Sequence, residues 1–204
     1  MTTRTLAAAA LAATVLGAGT ARAQSATPAA PLLTPAQLIA SAVLPLPPAL
    51  REGATVLRLE GTGATSVLRR GAGAMICLTD SPTTTRFHVA CYHRDLEPFM
   101  ARGRALRMAG ITSQERVDSA RFAEIQAGTL KMPGHPSSLY SLTGPADAFD
   151  PATGEAKGAS ALHVVYIPFA TSETTGLSTA PARGSAWLMS PGTPKAHIMF
   201  TPTM

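Results

Sequence analysis

Met75-Ile76-Cys77-Leu78 and Phe87-His88-Val89-Ala90-Cys91-Tyr92 flank the stretch Ser81-Pro82-Thr83-Thr84-Thr85. The two arms are apolar and rich in strand-forming residues, and the centre has the composition of a turn. Position 84 is the midpoint of 77 and 91, so a hairpin about Thr84 sets the two cysteines opposite each other. Cross-strand partners come close enough for an S–S bond. Closing a loop of about 15 residues contributes roughly 3 kcal/mol in the chain-entropy account. A redox-active or metal-binding pair is the alternative, but the chain has no C-x-x-C to support it.

Upstream of this hairpin, Ala54–Leu59 and Ser66–Arg69 read as strands about the turn Gly61-Thr62-Gly63. Thr34 reads as an N-cap with Pro35 at the first helical position. That helix runs through Val43 until Pro45, Pro47 and Pro48 stop it. Downstream, Asp95 can cap a helix to Met108 that ends at Gly110. Thr112-Ser113-Gln114-Glu115 is a capping-box pattern with Thr112 as N-cap; its helix should reach Gln126, with Gly128 as the stop. Val117, Phe122 and Ile125 share one arc of it.

After a loop at 132–137, Leu139–Leu142 reads as a strand and 143–160 as a long surface loop. Ala161–Phe169 is the clearest strand in the chain. A polar connection at 170–184 follows, then a hairpin of Ser185–Met189 with Lys195–Thr201. Strands, then helices, then strands predict an α+β fold: a single domain, a mainly antiparallel sheet and two central helices.

The N-terminus reads as an export signal. Arg4 precedes an uncharged apolar run, Leu6 to Gly19, and Ala21-Arg22-Ala23 has the small-x-small spacing of a cleavage site. The run is 14 residues long, whereas a membrane span takes about 20. Residues 1–23 are therefore expected to be a cleavable signal peptide, 24–33 a flexible leader and 34–204 the domain. A soluble periplasmic or secreted protein with no stable membrane anchor follows. Removing Arg4 and Arg22 from the 17 basic residues leaves 15 against 12 acidic ones, a net charge of +3. A charge this small gives no reason to expect nucleic acid. The densest basic stretch, Arg102, Arg104 and Arg107, does not share one narrow helical face. It reads as a solvated helix surface, with an anionic ligand or surface as the alternative.

The chain has no G-x-S-x-G, no H-E-x-x-H and no phosphate-loop lysine motif. Gly134-His135-Pro136-Ser137-Ser138 puts serines beside a histidine, but adjacency alone does not make a nucleophile and its base. Histidine with methionine is the other candidate chemistry. His197 and Met199 lie two apart in a strand and share a face; Ala196, Ile198 and Phe200 take the other, read as the core face. His163 lies in another strand, and Trp187 shares a face with Met189. Imidazole and thioether suit copper, above all Cu(I), outside the cytoplasm. His163, His197 and Met199 are thus candidate metal ligands, and His163, His197 and Trp187 could frame a small-ligand pocket. The alternative is that the methionines fill core space and the histidines are satisfied by hydrogen bonds.

The run Trp187-Leu188-Met189 followed by Gly192-Thr193-Pro194 and Ala196-His197-Ile198-Met199 resembles the ending of an uncharacterised family of secreted bacterial proteins. The likeness extends to Leu162-His163-Val164, where Leu162 and Val165 stand in place of the family's proline and methionine, and to Cys77 and Cys91. It covers about a third of the chain. It implies a secreted setting and a role for His163 and His197, and it carries no activity. The expected function is therefore binding of a small ligand or metal outside the cytoplasm; a hydrolase using His163 or His197 as general base is the alternative.

Overall fold

The computed structural model describes residues 32–61, 63–182 and 184–202, so the expected signal peptide and all of the leader but Leu32 and Leu33 lie outside the described residues. Among the described residues ten strands form in chain order: β1 Thr55–Glu60, β2 Ala64–Arg69, β3 Met75–Leu78, β4 Phe87–His93, β5 Ser137–Gly144, β6 Phe149–Asp150, β7 Glu155–Ala156, β8 Ser160–Tyr166, β9 Trp187–Met189 and β10 His197–Phe200. Eight of them make one sheet in the order β2-β1-β3-β4-β5-β8-β10-β9, antiparallel throughout except for the β1–β3 pair. The helices are α1 Pro35–Ala42, α2 Pro48–Arg51, α3 Glu97–Met108, α4 Gln114–Gln126 and α5 Ser172–Thr175. The fold is α+β, and Leu33–Met204 form one compact unit.

In β3 and β4 Cys77 stands directly opposite Cys91, and the two form a disulfide. This is the register that a hairpin about Thr84 requires. Residues paired across the sheet share a face, so the pairings sort the core into two layers. One face carries Val56, Met75, Cys77 and Cys91, with α1 packed on it through Ala42 and Val43. The short ribbon β6–β7 covers the β4–β5 end of the same face, with Phe149 stacked on Phe87 at 6.4 Å. The opposite face carries Ile76, Leu78, Tyr92, Leu139, Val164, Tyr166 and Met199. Helices α3 and α4 close over it with Phe99, Met100, Phe122 and Ile125.

Local signals explain most element ends. Thr34 and Gln37 form a reciprocal capping box at α1. Gly110 and Gly128, at φ +86° and +74°, supply the left-handed turns just beyond α3 and α4. Three starts or loops differ from expectation. The N-cap of α4 is Ser113, not Thr112: its hydroxyl accepts from the Arg116 amide, and its extended backbone starts the helix one residue later. Asp95 does not cap α3. The chain enters through a 3-10 turn, Arg94–Leu96, capped by the His93 ring, while the Asp95 carboxylate is engaged with His135. The expected surface loop at 143–160 contains β6 and β7.

The assigned core face of the last strand is also reversed. His197 pairs with Tyr166 and Met199 with Val164, so His197 and Met199 face the α3–α4 layer. Phe200 lies on the other face and is 38% exposed. Strict alternation gives two faces but not which of them a helix will cover.

Candidate functional site

The pairing register separates the histidines proposed to act together. His163 stands opposite Phe200 and Tyr140, on the disulfide face of the sheet. It packs edge-on to Tyr140, ring centroids 5.0 Å apart, and lies 6.4 Å from Phe200. His197, Met199 and Trp187 share the helix-covered face, where Trp187 pairs with Met199. The sheet therefore stands between His163 and the other three, and they do not form one metal or ligand site. Among the described residues no group of three or more His, Cys, Asp or Glu side chains is arranged to hold a metal ion.

His197 is buried against Tyr166, centroids 5.2 Å apart, and its Nδ1 donates to the Lys195 carbonyl at 2.6 Å. Burial is the main cause that pulls its pKa down. Burial does the same to His88 and His163. A histidine depressed in the folded state binds its proton more readily unfolded. Stability is then fully present above the ordinary value of about 6.5 and is lost as pH falls through the window below it. Acidification from pH 7.5 to 5.5 is expected to lower Tm, and His197→Gln to make that loss smaller. A pH-independent Tm over this range would contradict the burial of these rings.

His135 behaves in the opposite way. Its Nε2 meets the Asp95 carboxylate at 2.9 Å and its Nδ1 the Pro136 carbonyl at 3.2 Å. Both acceptors favour the imidazolium, the Pro136 carbonyl first, and raise its pKa. A ring with both nitrogens facing acceptors is a poor general base. The Ser137 hydroxyl beside it, at 3.4 Å, belongs to a residue only 1% exposed. The serine–histidine segment is thus a structural corner on the rim of a 660 Å³ hollow bounded by Leu130–Pro136 and Ile167–Ala170.

The group with unspent chemistry lies between the sheet and α3–α4. A hollow of about 300 Å³ opens there over Leu78, Ala90, Phe99 and Leu139. Arg104, Arg107, Arg121, Lys195, Gln114, Tyr92 and Tyr166 also line it. It runs into a second hollow of about 510 Å³, with which it shares Leu78, Ala90, Arg104 and Arg107. Arg104 and Arg107 turn inward from α3, while Arg102 turns away to Glu124 of α4. The stretch read as a solvated helix surface is therefore split, and two of its three arginines line the hollow.

Each charge can be followed to its partners. Arg104 donates to Glu97 at 2.6 Å and to the Tyr92 hydroxyl at 3.0 Å; that hydroxyl donates to Glu97 at 2.5 Å. Lys195 meets Asp118 at 2.8 Å, and Arg121 bonds the same carboxylate. Burial alone would raise Asp118, but hydrogen bonds from Gln114, Lys195 and Arg121 hold it below the usual carboxylate range. Arg121 is 4% exposed, with its guanidinium 3.7 Å over the Phe99 ring. Its Nη1 donates to the Phe99 carbonyl at 3.2 Å, and its buried Nε has no hydrogen-bond partner among the described residues. Burial pushes Tyr166 up to about 12, so its phenol stays protonated. Four cations thus meet two carboxylates, Glu97 and Asp118.

An α+β protein with a cationic hollow between its layers is what fold and site define. The chain matches no protein-family model, no curated protein and no solved structure. Sequence reasoning missed Arg121 and Lys195 because they come from α4 and the β9–β10 connection. One signal bears on Arg121. Gly103 lies mid-helix in α3, where glycine costs about 1 kcal/mol relative to alanine. A Cβ there would sit 2.9 Å from Arg121 Nη1.

Proposed function

We propose that this is an exported small-ligand-binding protein of the periplasm or cell exterior, and that its ligand is a small anion held in the hollow between the sheet and α3–α4. The observation that carries this reading is the excess of cationic side chains over carboxylates around an apolar floor, with Arg107 paired to no carboxylate among the described residues. A bound anion offsets that excess of positive charge. In the low dielectric beneath two helices its attraction to the guanidinium groups exceeds what water would allow. The disulfide suits an oxidising compartment, as does the N-terminal export pattern. Among the described residues no helix is long and apolar enough to cross a membrane.

Native mass spectrometry of protein recovered from the periplasm of an expressing bacterium tests both halves of this reading. The expected species begins at Gln24, is two hydrogens lighter than the reduced chain and retains a small acidic adduct that Arg107→Gln loses. A chain still carrying residues 1–23, or two free thiols, contradicts export. Failure of the protein to take up any small anion, whether during expression or on titration, contradicts binding.

A further inference from the structure

We infer that the ligand is an organic acid with one carboxylate and an extended apolar body, held by Arg107 and Arg121, rather than an inorganic oxyanion. This inference rests on the hollow being the binding site and specifies its occupant. Arg104 is committed to Glu97, while Lys195 and Arg121 share Asp118. Among the described residues Arg107 bonds only the Gln114 side chain, at 2.5 Å, and the Gly103 carbonyl, at 3.2 Å. It pairs with no carboxylate among the described residues. Arg107 and Arg121 also converge: a Cβ built on Gly103 would lie 3.3 Å from one guanidinium and 2.9 Å from the other. Two like charges meet over one glycine, and the one carboxylate on either of them, Asp118, is shared with Lys195. An acid group placed beside them answers both.

The size of the charge excess sets the valence. Arg104, Arg107, Arg121 and Lys195 give four positive charges. Glu97, Asp118 and Asp80, the last in the adjoining hollow, give three negative ones. One unit remains, which a monoanion neutralises and a phosphate dianion exceeds. Leu59, Leu78 and Ala90 give the adjoining groove an apolar floor, beside a polar lining that includes Thr79, Thr84 and His88. An inorganic oxyanion leaves that floor in contact with water, whereas a hydrocarbon body covers it and contributes about 25 cal/mol per Å² buried. The combined hollows fall within the usual range of small-molecule sites, about 300–1,000 Å³.

Isothermal titration of the disulfide-bonded domain with four probes tests this: 3-phenylpropionate, its neutral amide, acetate and inorganic phosphate. The expected result is that 3-phenylpropionate binds at least about tenfold more tightly than the other three. Arg107→Gln, at a half-buried position that lines the hollow and pairs with no carboxylate among the described residues, should weaken 3-phenylpropionate by about tenfold or more, the usual worth of a charge-assisted hydrogen bond, with Tm little changed. Arg102→Gln, which removes a charge from the same helix outside the hollow, should leave affinity intact. Phosphate binding more tightly than 3-phenylpropionate overturns the carboxylate inference while leaving anion binding in place. Equal binding of the amide also overturns it, because the charge would then be idle. Binding of none of the four overturns the inference and the binding reading together.

Discussion

Phe99→Ala is expected to lower the stability of the folded protein by about 3–5 kcal/mol, the range for deleting a buried aromatic ring. Phe99 is 1% exposed and lies in the layer that joins α3 to the sheet. Its ring sits edge-on to Tyr166, centroids 6.4 Å apart, and carries the Arg121 guanidinium on its face. The substitution therefore removes packing, an aromatic pair and a cation–π contact in one step. It also leaves Arg121 free to move, so anion affinity should fall with stability. For a domain of this length each kcal/mol shifts Tm by about 2–4 °C, so a fall of about 6–20 °C is expected in a thermal melt. A fall of less than 2 °C would mean that Phe99 is not the link between the helix layer and the sheet.

Removing the disulfide as Cys77→Ala/Cys91→Ala should lower stability by roughly 3 kcal/mol through the entropy of the unfolded chain. Both cysteines are 0% exposed, and the bridge joins the central strands β3 and β4. The pair also packs against Ala42 and Val43 of α1, so the cost includes some lost burial. Urea titration separates the two contributions. A lower midpoint with a steeper slope identifies relaxation of a constrained unfolded state, because the slope follows the surface exposed on unfolding. An unchanged midpoint in the double variant would contradict a structural role for the bridge.

The hairpin register was legible because it depends on neighbours in sequence. Two strand-like arms, a central turn and two cysteines equidistant from it leave one pairing, and β3–β4 has it. The terminal hairpin was legible for the same reason, and Trp187 does pair with Met199. The covered face of β10 was not. Ile198 and Phe200 are as apolar as a core face should be, but cover depends on where α3 and α4 lie, and that is a long-range packing outcome. The pairing of β8 with β10 then set His163 and His197 on opposite faces, which no spacing within either strand could disclose.

The hollow was half legible. Arg104 and Arg107 were visible as a basic cluster and were read chiefly as solvated surface, because Arg102 shares the stretch but not the face. Salt bridging of Arg102 to Glu124 separates it from the other two. Arg121 and Lys195 reach the hollow only through tertiary packing: one comes from α4 and the other from the β9–β10 connection, and they meet at Asp118.

Nitrogen-15 NMR of the domain titrated with 3-phenylpropionate tests most directly whether this hollow is the binding site. The side-chain Nε–H signals of Arg107 and Arg121 should move, together with backbone amides of β3, β4, α3 and α4, while the amides of 128–136 and the His163 ring stay in place. Shifts centred instead on the loops at 128–136 and 167–170, or on His163 and Phe200, would put binding elsewhere on the fold; no shifts at millimolar ligand would contradict a binding role for the hollow.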